Sequence, residues 1–346
     1  MPEQTPGFGT ARPTLEAVAA RAGVSRATVS RVVNGGAGVR ATLVEKVYRA
    51  VDELGYVPNH AARTLVTRRN GAVAVIIAEP EFRIFSDPFF AQQIRGISRE
   101  LTAHDSQLVL LWVEGQGDYE RIGRYLGGGH VDGALAFSLH ADDELPAIIG
   151  RMRVPCVFGG RPGAVYGPGV PYVDCDNRGG AREAVRHLVA LGRRNIAHIT
   201  GPLDQTSALD RTDGYRDVLP AAEAGLIGEG AFTEESGARA MAALLDRRPD
   251  LDAVFAANDL MAAGALRTLR ERGLRVPEDV AVVGFDDMAS VVGRTDPPLT
   301  TVRQDVEEMG RLMVRLLMRM LGAHGEDAAV PEPVITPTVL VRRVSG

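Results

Sequence analysis

Along the first sixty positions, apolar residues recur at helical spacing in three short bursts. Leu15, Val18, Ala19 and Ala22 fall at i, i+3, i+4 and i+7, which predicts a helix with one buried face. Thr14 stands where a cap is needed, Glu16 suits the positive end of the helix dipole, and Gly23 supplies the sharp exit. Ser25 caps a second short helix that turns Val29, Val32 and Val33 inward, and Asn34-Gly35-Gly36 stops it. A third helix runs from about Ala41 to Leu54, with Leu43, Val44, Val47, Val51 and Leu54 on one stripe and Gly55 closing it. Two short helices joined by Ala22-Gly23-Val24-Ser25 and buttressed by a third make a helix-turn-helix arrangement.

Beyond position 71 the pattern changes. Continuous apolar runs at 72–78, 108–113, 133–137, 154–158, 195–200, 253–257 and 280–285 predict strands, and 91–103, 180–191, 261–272 and 306–321 read as helices. Apolar strands alternating with amphipathic helices indicate parallel sheets covered on both faces. Ligands of such folds sit beyond the carboxyl ends of the strands, and two lobes would place the site in the cleft between them. The expected fold class is therefore an all-α helix-turn-helix domain followed by a two-lobed α/β core.

Composition narrows the class. With 45% hydrophobic and 24% charged residues the chain fits a soluble globular protein. No run of about 18 apolar residues offers a membrane span, so no membrane partner is expected. Met1 to Ala11 lacks the basic-then-apolar pattern of a secretory signal. Cys156 and Cys175 are too few for a disulfide framework and suit a reducing cytoplasm. The seven histidines lack ligand spacing, so neither a metal nor a cofactor is expected. The net charge of −5 conceals an asymmetry, because residues 12–69 hold ten Arg or Lys against four acids, a net +6. A basic end on an acidic body points to a polyanion partner for the first segment, although charge alone leaves a solvated surface equally open.

The second helix presents Arg26, Ala27, Thr28, Ser30 and Arg31 outward. Arginine suits bidentate contact with guanine, and Ala27 can meet a thymine methyl. Ser25, Thr28 and Ser30 can bond phosphate oxygens and fix the register. A helical bundle that binds another protein is the alternative; the glycine turn, the caps and the positive charge favour double-stranded DNA.

The stretch Thr14–Asn34 and the following Gly55-Tyr56-Val57-Pro58-Asn59-His60-Ala61-Ala62-Arg63-Thr64-Leu65 resemble the lactose-repressor (LacI/GalR) family, and the similarity extends over nearly the whole chain. The resemblance implies a bacterial transcription regulator whose core is periplasmic-binding-protein-like. Its DNA-contacting set would be Thr14, Leu15, Ser25, Arg26, Ala27, Thr28, Ser30, Arg31, Asn34, Asn59, Ala62 and Leu65. Asn59 can cap a helix from His60 to about Val66, and a helix of about two turns is marginal alone in water. By resemblance it is a hinge helix that orders on operator DNA and packs against its dimer mate. Leu65 would wedge into the minor groove beside Ala62 and kink the duplex.

The effector residues are expected at strand ends. Asp87-Pro88-Phe89-Phe90 follows the first strand, where aromatic faces can stack on sugar rings and Asp87 can accept from hydroxyls. Arg161 ends the fourth strand, and Arg211, Asn258 and Asp286 match family effector contacts. Asn258-Asp259 and Asp176-Asn177 also read as helix caps. One departure stands out: Gly159-Gly160 precedes Arg161 where relatives often carry Asp. The missing acceptor predicts room for a ligand bulkier than a monosaccharide, such as a disaccharide.

By the same resemblance, 297–302 leads back into the first lobe and 339–341 is a last strand of the second. The expected division is a flexible tail at 1–13, a DNA-binding domain at 14–57, a hinge and linker at 58–70 and a core at 71–346. Within the core the first lobe takes about 71–173 and 302–330, the second about 174–301 and 331–346. The chain stops without a leucine-heptad extension, so a homodimer on two half-sites is expected. A sugar-released repressor is the leading reading. A regulator using a nucleobase or nucleoside as corepressor is the alternative, and an extracellular solute receptor is a third. An enzyme finds no support, for no nucleophile elbow, phosphate loop or metal pair is present.

Overall fold

The computed structural model describes residues 13–33, 38–57, 69–163, 169–220, 224–322 and 331–346. It divides into two compact units, Met1–Asn70 and Gly71–Gly346. The expected hinge helix, with Asn59, Ala62 and Leu65, lies outside the described residues, as do Asn34 and the tail up to residue 12.

In the first unit α1 is Leu15–Ala22, α2 Arg26–Val33 and α3 Ala41–Leu54. The Thr14 hydroxyl accepts from Ala17 N at 3.3 Å, and Gly23 ends α1 at φ 67°. A side chain there would be strained in the left-handed region, which explains the glycine at the turn. Val18, Val29 and Val47 meet in full burial with Ala50 and Tyr56, so each helix gives one apolar face to a small shared core.

The second unit alternates strands and helices. Its first part holds β1 (Ala72–Ile77), α4 (Glu81–Ser86), α5 (Pro88–Ala103), β2 (Gln107–Trp112), α6 (Gln116–Gly127), β3 (Gly133–Phe137), α7 (Leu145–Met152), β4 (Cys156–Gly159) and β5 (Tyr172–Cys175). Then come α8 (Asn177–Ala190), β6 (Ile196–Thr200), α9 (Thr206–Val218), β7 (Ile227–Glu229), α10 (Glu234–Arg247), β8 (Ala253–Ala256), α11 (Asp259–Glu271), β9 (Ala281–Asp286), α12 (Ala289–Val292) and β10 (Thr300–Arg303). The chain ends through α13 (Val306–Gly322), β11 (Val334–Thr336) and β12 (Val339–Val341).

Among the described residues these strands form two six-stranded sheets, ordered β11-β5-β4-β3-β1-β2 and β12-β10-β9-β8-β6-β7. Every pairing is parallel except β10 with β12. The central strands β1, β3, β8 and β9 are buried almost throughout, as strands covered on both faces must be. Among the described residues the chain passes between the lobes three times, after Cys175, after Arg303 and after Thr336.

Two expectations change here. Val334–Thr336 pairs in parallel with β5 in the first sheet, so residues from 331 onward do not all belong to the second lobe. Three residues between Pro333 and Pro337 carry too little alternation to read as a strand. The return to the first lobe also begins after Arg303, because β10 runs beside β9 to its end. Among the described residues no helix is long and apolar enough to cross a membrane.

The first lobe is clamped by α5 against α13. Gly96 and Gly310 face each other's helix so closely that a methyl at Gly96 would overlap the Glu307 carbonyl oxygen. Gly96→Ala is expected to cost about 1–3 kcal/mol through overpacking. Denaturant unfolding checks this, and a variant as stable as wild type would contradict the close approach.

Candidate functional site

A cleft opens between the carboxyl ends of the two sheets. Its walls bring together all seven expected effector residues, Asp87, Phe89, Phe90, Arg161, Arg211, Asn258 and Asp286.

Arg211, on α9, is the centre of the second-lobe wall and is buried. Its Nε donates to Asn177 Oδ1 at 2.9 Å, one Nη donates to the Ala257 carbonyl, and Asp286 Oδ1 lies 3.6 Å away. The guanidinium stacks 3.8 Å from the Phe285 ring centre. Asn177 Nδ2 in turn donates to Asp174 at 2.9 Å. Asp286 accepts from Gln304 at 2.6 Å and holds its backbone at φ 110°, with Asp287 following at φ 56°. Two successive non-glycine residues in that region are strained, and such strain persists where surrounding contacts over-determine it. Here Asp287 is pinned by Arg303 at 2.7 Å and by Arg343 at 2.6 Å.

Asn258 caps a helix and also lines the cleft. Its Oδ1 caps α11 by accepting from Met261 N at 2.9 Å, while its amide lines the cleft and donates to the Phe232 carbonyl at 3.2 Å. Asp176 caps α8 through Gly179 N at 2.8 Å, whereas Asn177 turns into the cleft beside Arg211.

On the first-lobe wall, Asp87 caps α5 by accepting from Phe89 N at 3.0 Å and is buried. Phe90 packs into the core, stacked on Phe137, and Phe89 meets it edge-on at 5.6 Å. Arg161 lies two residues past β4, not at its end, and makes a bidentate pair with Asp210 at 2.7 and 3.3 Å. Gly159 is not where space opens, since a Cβ there would meet Gln93 Nε2 and Phe137 Cβ at 2.8 Å. The room lies at Gly160, which faces nothing within 4 Å and adopts φ 90°.

Burial pushes the carboxyls of Asp87 and Asp174 above the usual range. It pushes Asp286 up as well, against the pull of Arg211. Asp259, behind the wall, is raised by burial and by the charge of Asp286, though Thr301 and Met288 N both donate to it. The lining sets three guanidinium groups (Arg83, Arg161, Arg211) against three carboxyls (Asp87, Asp174, Asp286), a balanced lining rich in both donors and acceptors.

Sequence reasoning missed Arg83, Gln205, Phe232 and Gln304. Arg83 lies 5.7 Å from the ring centre of Phe90 and 5.2 Å from that of Phe232. Glutamine after a strand, as Gln304 after β10, was the one local signal available.

On the first unit Ser25, Arg26, Ala27 and Arg31 are exposed, while Thr28 and Ser30 are half-buried along the same face of α2. The Ser25 and Thr28 hydroxyls bond each other at 2.9 Å, and Ser25 Oγ accepts from Thr28 N at 3.2 Å. Arg26 reaches Glu16 at 3.0 Å. Thr14 is exposed and Leu15 half-buried at the start of α1.

A three-helix unit with an exposed second helix, preceding a two-lobed cleft domain, is the build of a ligand-controlled DNA-binding regulator. Residues 14–59 match the model of bacterial regulatory proteins of the lacI family, and 185–345 match a periplasmic binding protein-like domain. The HTH-type transcriptional regulator CelR of Thermobifida fusca is 49% identical over 97% of this chain and 98% of its own. The regulator MalR of Streptomyces coelicolor is 37% identical over 93% of this chain and 95% of its own. Among solved structures, a transcriptional regulator CelR–cellobiose complex superposes with a TM-score of 0.77 at 46% identity, covering 97% of this chain and 100% of that one. A lac repressor dimer bound to operator and the anti-inducer ONPF gives 0.84 at 30% identity, covering 97% and 99%. The chain belongs to the lacI family of bacterial regulatory proteins and is a DNA-binding transcription regulator.

Proposed function

We propose that this regulator represses carbohydrate-utilisation genes and that a gluco-disaccharide of the cellobiose class releases it from its operator. The observation that carries this reading is the balanced cleft. Arg211, Asn177, Asp286 and Gln304 offer bidentate polar groups, Phe89 and Phe232 offer ring faces, and Gly160 leaves open space. Such a lining suits a neutral polyhydroxy ligand, whereas a phosphorylated sugar would need excess positive charge. The cellobiose found in the 46%-identical relative supports the same class.

In this reading residues 14–57 bind DNA through Thr14, Leu15, Asn34 and the exposed face of α2. Residues 58–70 form the hinge, with Asn59 as cap and Ala62 and Leu65 in the minor groove. The core makes the homodimer that two half-sites require, as the lac repressor dimer on its operator supports. The protein acts in the cytoplasm and turns no substrate over. Calorimetry of the purified protein against cellobiose, glucose and purine bases tests the effector class. Cellobiose should bind at least about tenfold more tightly than glucose. Binding of a purine with no response to any disaccharide would overturn the sugar reading.

A further inference from the structure

The buried stripe of α5 runs through Phe90, Gln93, Ile97 and Leu101, and Gln93 interrupts its apolar series. At 1% exposure the Gln93 amide has left water, which costs free energy unless each polar atom finds a partner. Its Nε2 donates to the Met313 sulfur at 3.1 Å, a weak acceptor, while its Oε1 is without a partner among the described residues. Turning the amide over would set oxygen against sulfur, two acceptors with no proton between them, so the oxygen remains the unpartnered atom. Gly159 keeps the arrangement in place, since a Cβ there would meet Gln93 Nε2 at 2.8 Å.

A second such atom stands on the same lobe. Arg83, 7% exposed, donates through Nη1 to Glu79 at 2.6 Å, but its Nε has no acceptor. Five buried side-chain polar atoms lack a partner among the described residues, and only these two belong to residues that line the cleft. On the opposite wall Arg211, Asn177 and Asp286 already bond one another or their neighbours. Buried polar atoms are nearly always bonded, so a donor and an acceptor left over on one wall of a ligand cleft point to groups that the ligand brings.

Resting on the disaccharide reading, we propose that Gln93 Oε1 is the first lobe's acceptor for an effector hydroxyl, with Arg83 Nε–H as its companion donor. The pair makes the first lobe selective as well as the second. A site built to bond a hydroxyl rejects an analogue that lacks it, because the protein atom then stays buried and unpaired.

The test combines Gln93→Met, which keeps the length of the side chain and removes the acceptor, with cellobiose and its monodeoxy analogues. In calorimetry of the full-length protein, Gln93→Met should bind cellobiose at least about tenfold more weakly than wild type. One analogue should bind wild type about tenfold more weakly than cellobiose does, yet differ from cellobiose by less than about twofold on Gln93→Met, where that hydroxyl has already lost its partner. Denaturant unfolding without sugar should find the variant at least as stable as wild type, because the buried oxygen gives up no bond there. The proposal is overturned by unchanged cellobiose affinity, by equal analogue losses on both proteins, or by a sugar-free variant clearly less stable than wild type, the mark of a structural glutamine. Wild type that binds no disaccharide would remove the sugar reading itself, and this role of Gln93 with it.

Discussion

Arg211→Ala is expected to abolish the effector response while operator binding persists. The guanidinium is the one group that joins Asn177, the Ala257 carbonyl, Asp286 and the Phe285 ring, and it lines the cleft. Truncating one partner of a buried, hydrogen-bonded charge cluster typically costs about 2–5 kcal/mol of binding, which predicts effector affinity at least about 30-fold weaker. Part of that loss arises because Asp286 and Asn177 are left without their partner, so the folded core also loses stability. Arg211→Lys separates the two contributions: it keeps the positive charge but not the planar fork, and is expected to fold better than the alanine variant while responding little. Calorimetry with cellobiose, beside a gel shift without it, reads both effects. A fully responsive Arg211→Ala protein would mean that the effector does not use this wall.

Arg31→Ala is expected to give the opposite split. Arg31 is exposed on α2, away from the Val29 and Val32 face that holds the small core together, so its removal leaves the fold intact. Loss of one arginine contact to a base or phosphate costs about 1–3 kcal/mol, which predicts operator binding weaker by roughly 5- to 150-fold. Effector affinity should stay within about twofold of wild type, because the change lies outside the cleft and touches none of its lining. Fluorescence anisotropy with operator DNA at fixed salt measures the first effect, since salt alone shifts such affinities strongly. An Arg31→Ala protein that binds operator as well as wild type would show that α2 does not meet the duplex through this residue.

Legibility in the sequence followed the length of each element. α1, α11 and α13 carry their own period and an N-terminal cap, α3 its period and a closing Gly55, and the buried strands read as unbroken apolar runs. By contrast β5, β7, β10 and β11 are three or four residues long and owe their pairing to neighbours supplied from far along the chain. For the same reason β11 was expected in the wrong lobe. The cleft was visible where a motif marks it, at the ends of β8 and β9 for Asn258 and Asp286, at the cap of α5 for Asp87 and on α9 for Arg211. It was invisible where tertiary packing alone aims a side chain inward. Arg83 sits on the six-residue helix α4, and Phe232 lies in the turn before α10 at φ 57°. Gly159-Gly160 pointed to added room, but only the structure separates the glycine that packing demands from the one that faces open space.

Cleft and operator are expected to oppose each other through one molecule. Two ligands linked in this way weaken each other's binding by the same factor, and coupling of about 1–3 kcal/mol corresponds to roughly 5- to 150-fold. The direct measurement is operator affinity by fluorescence anisotropy, with and without saturating cellobiose, at one salt concentration. A fall in operator affinity within that range is the predicted result; an unchanged or strengthened complex would contradict it.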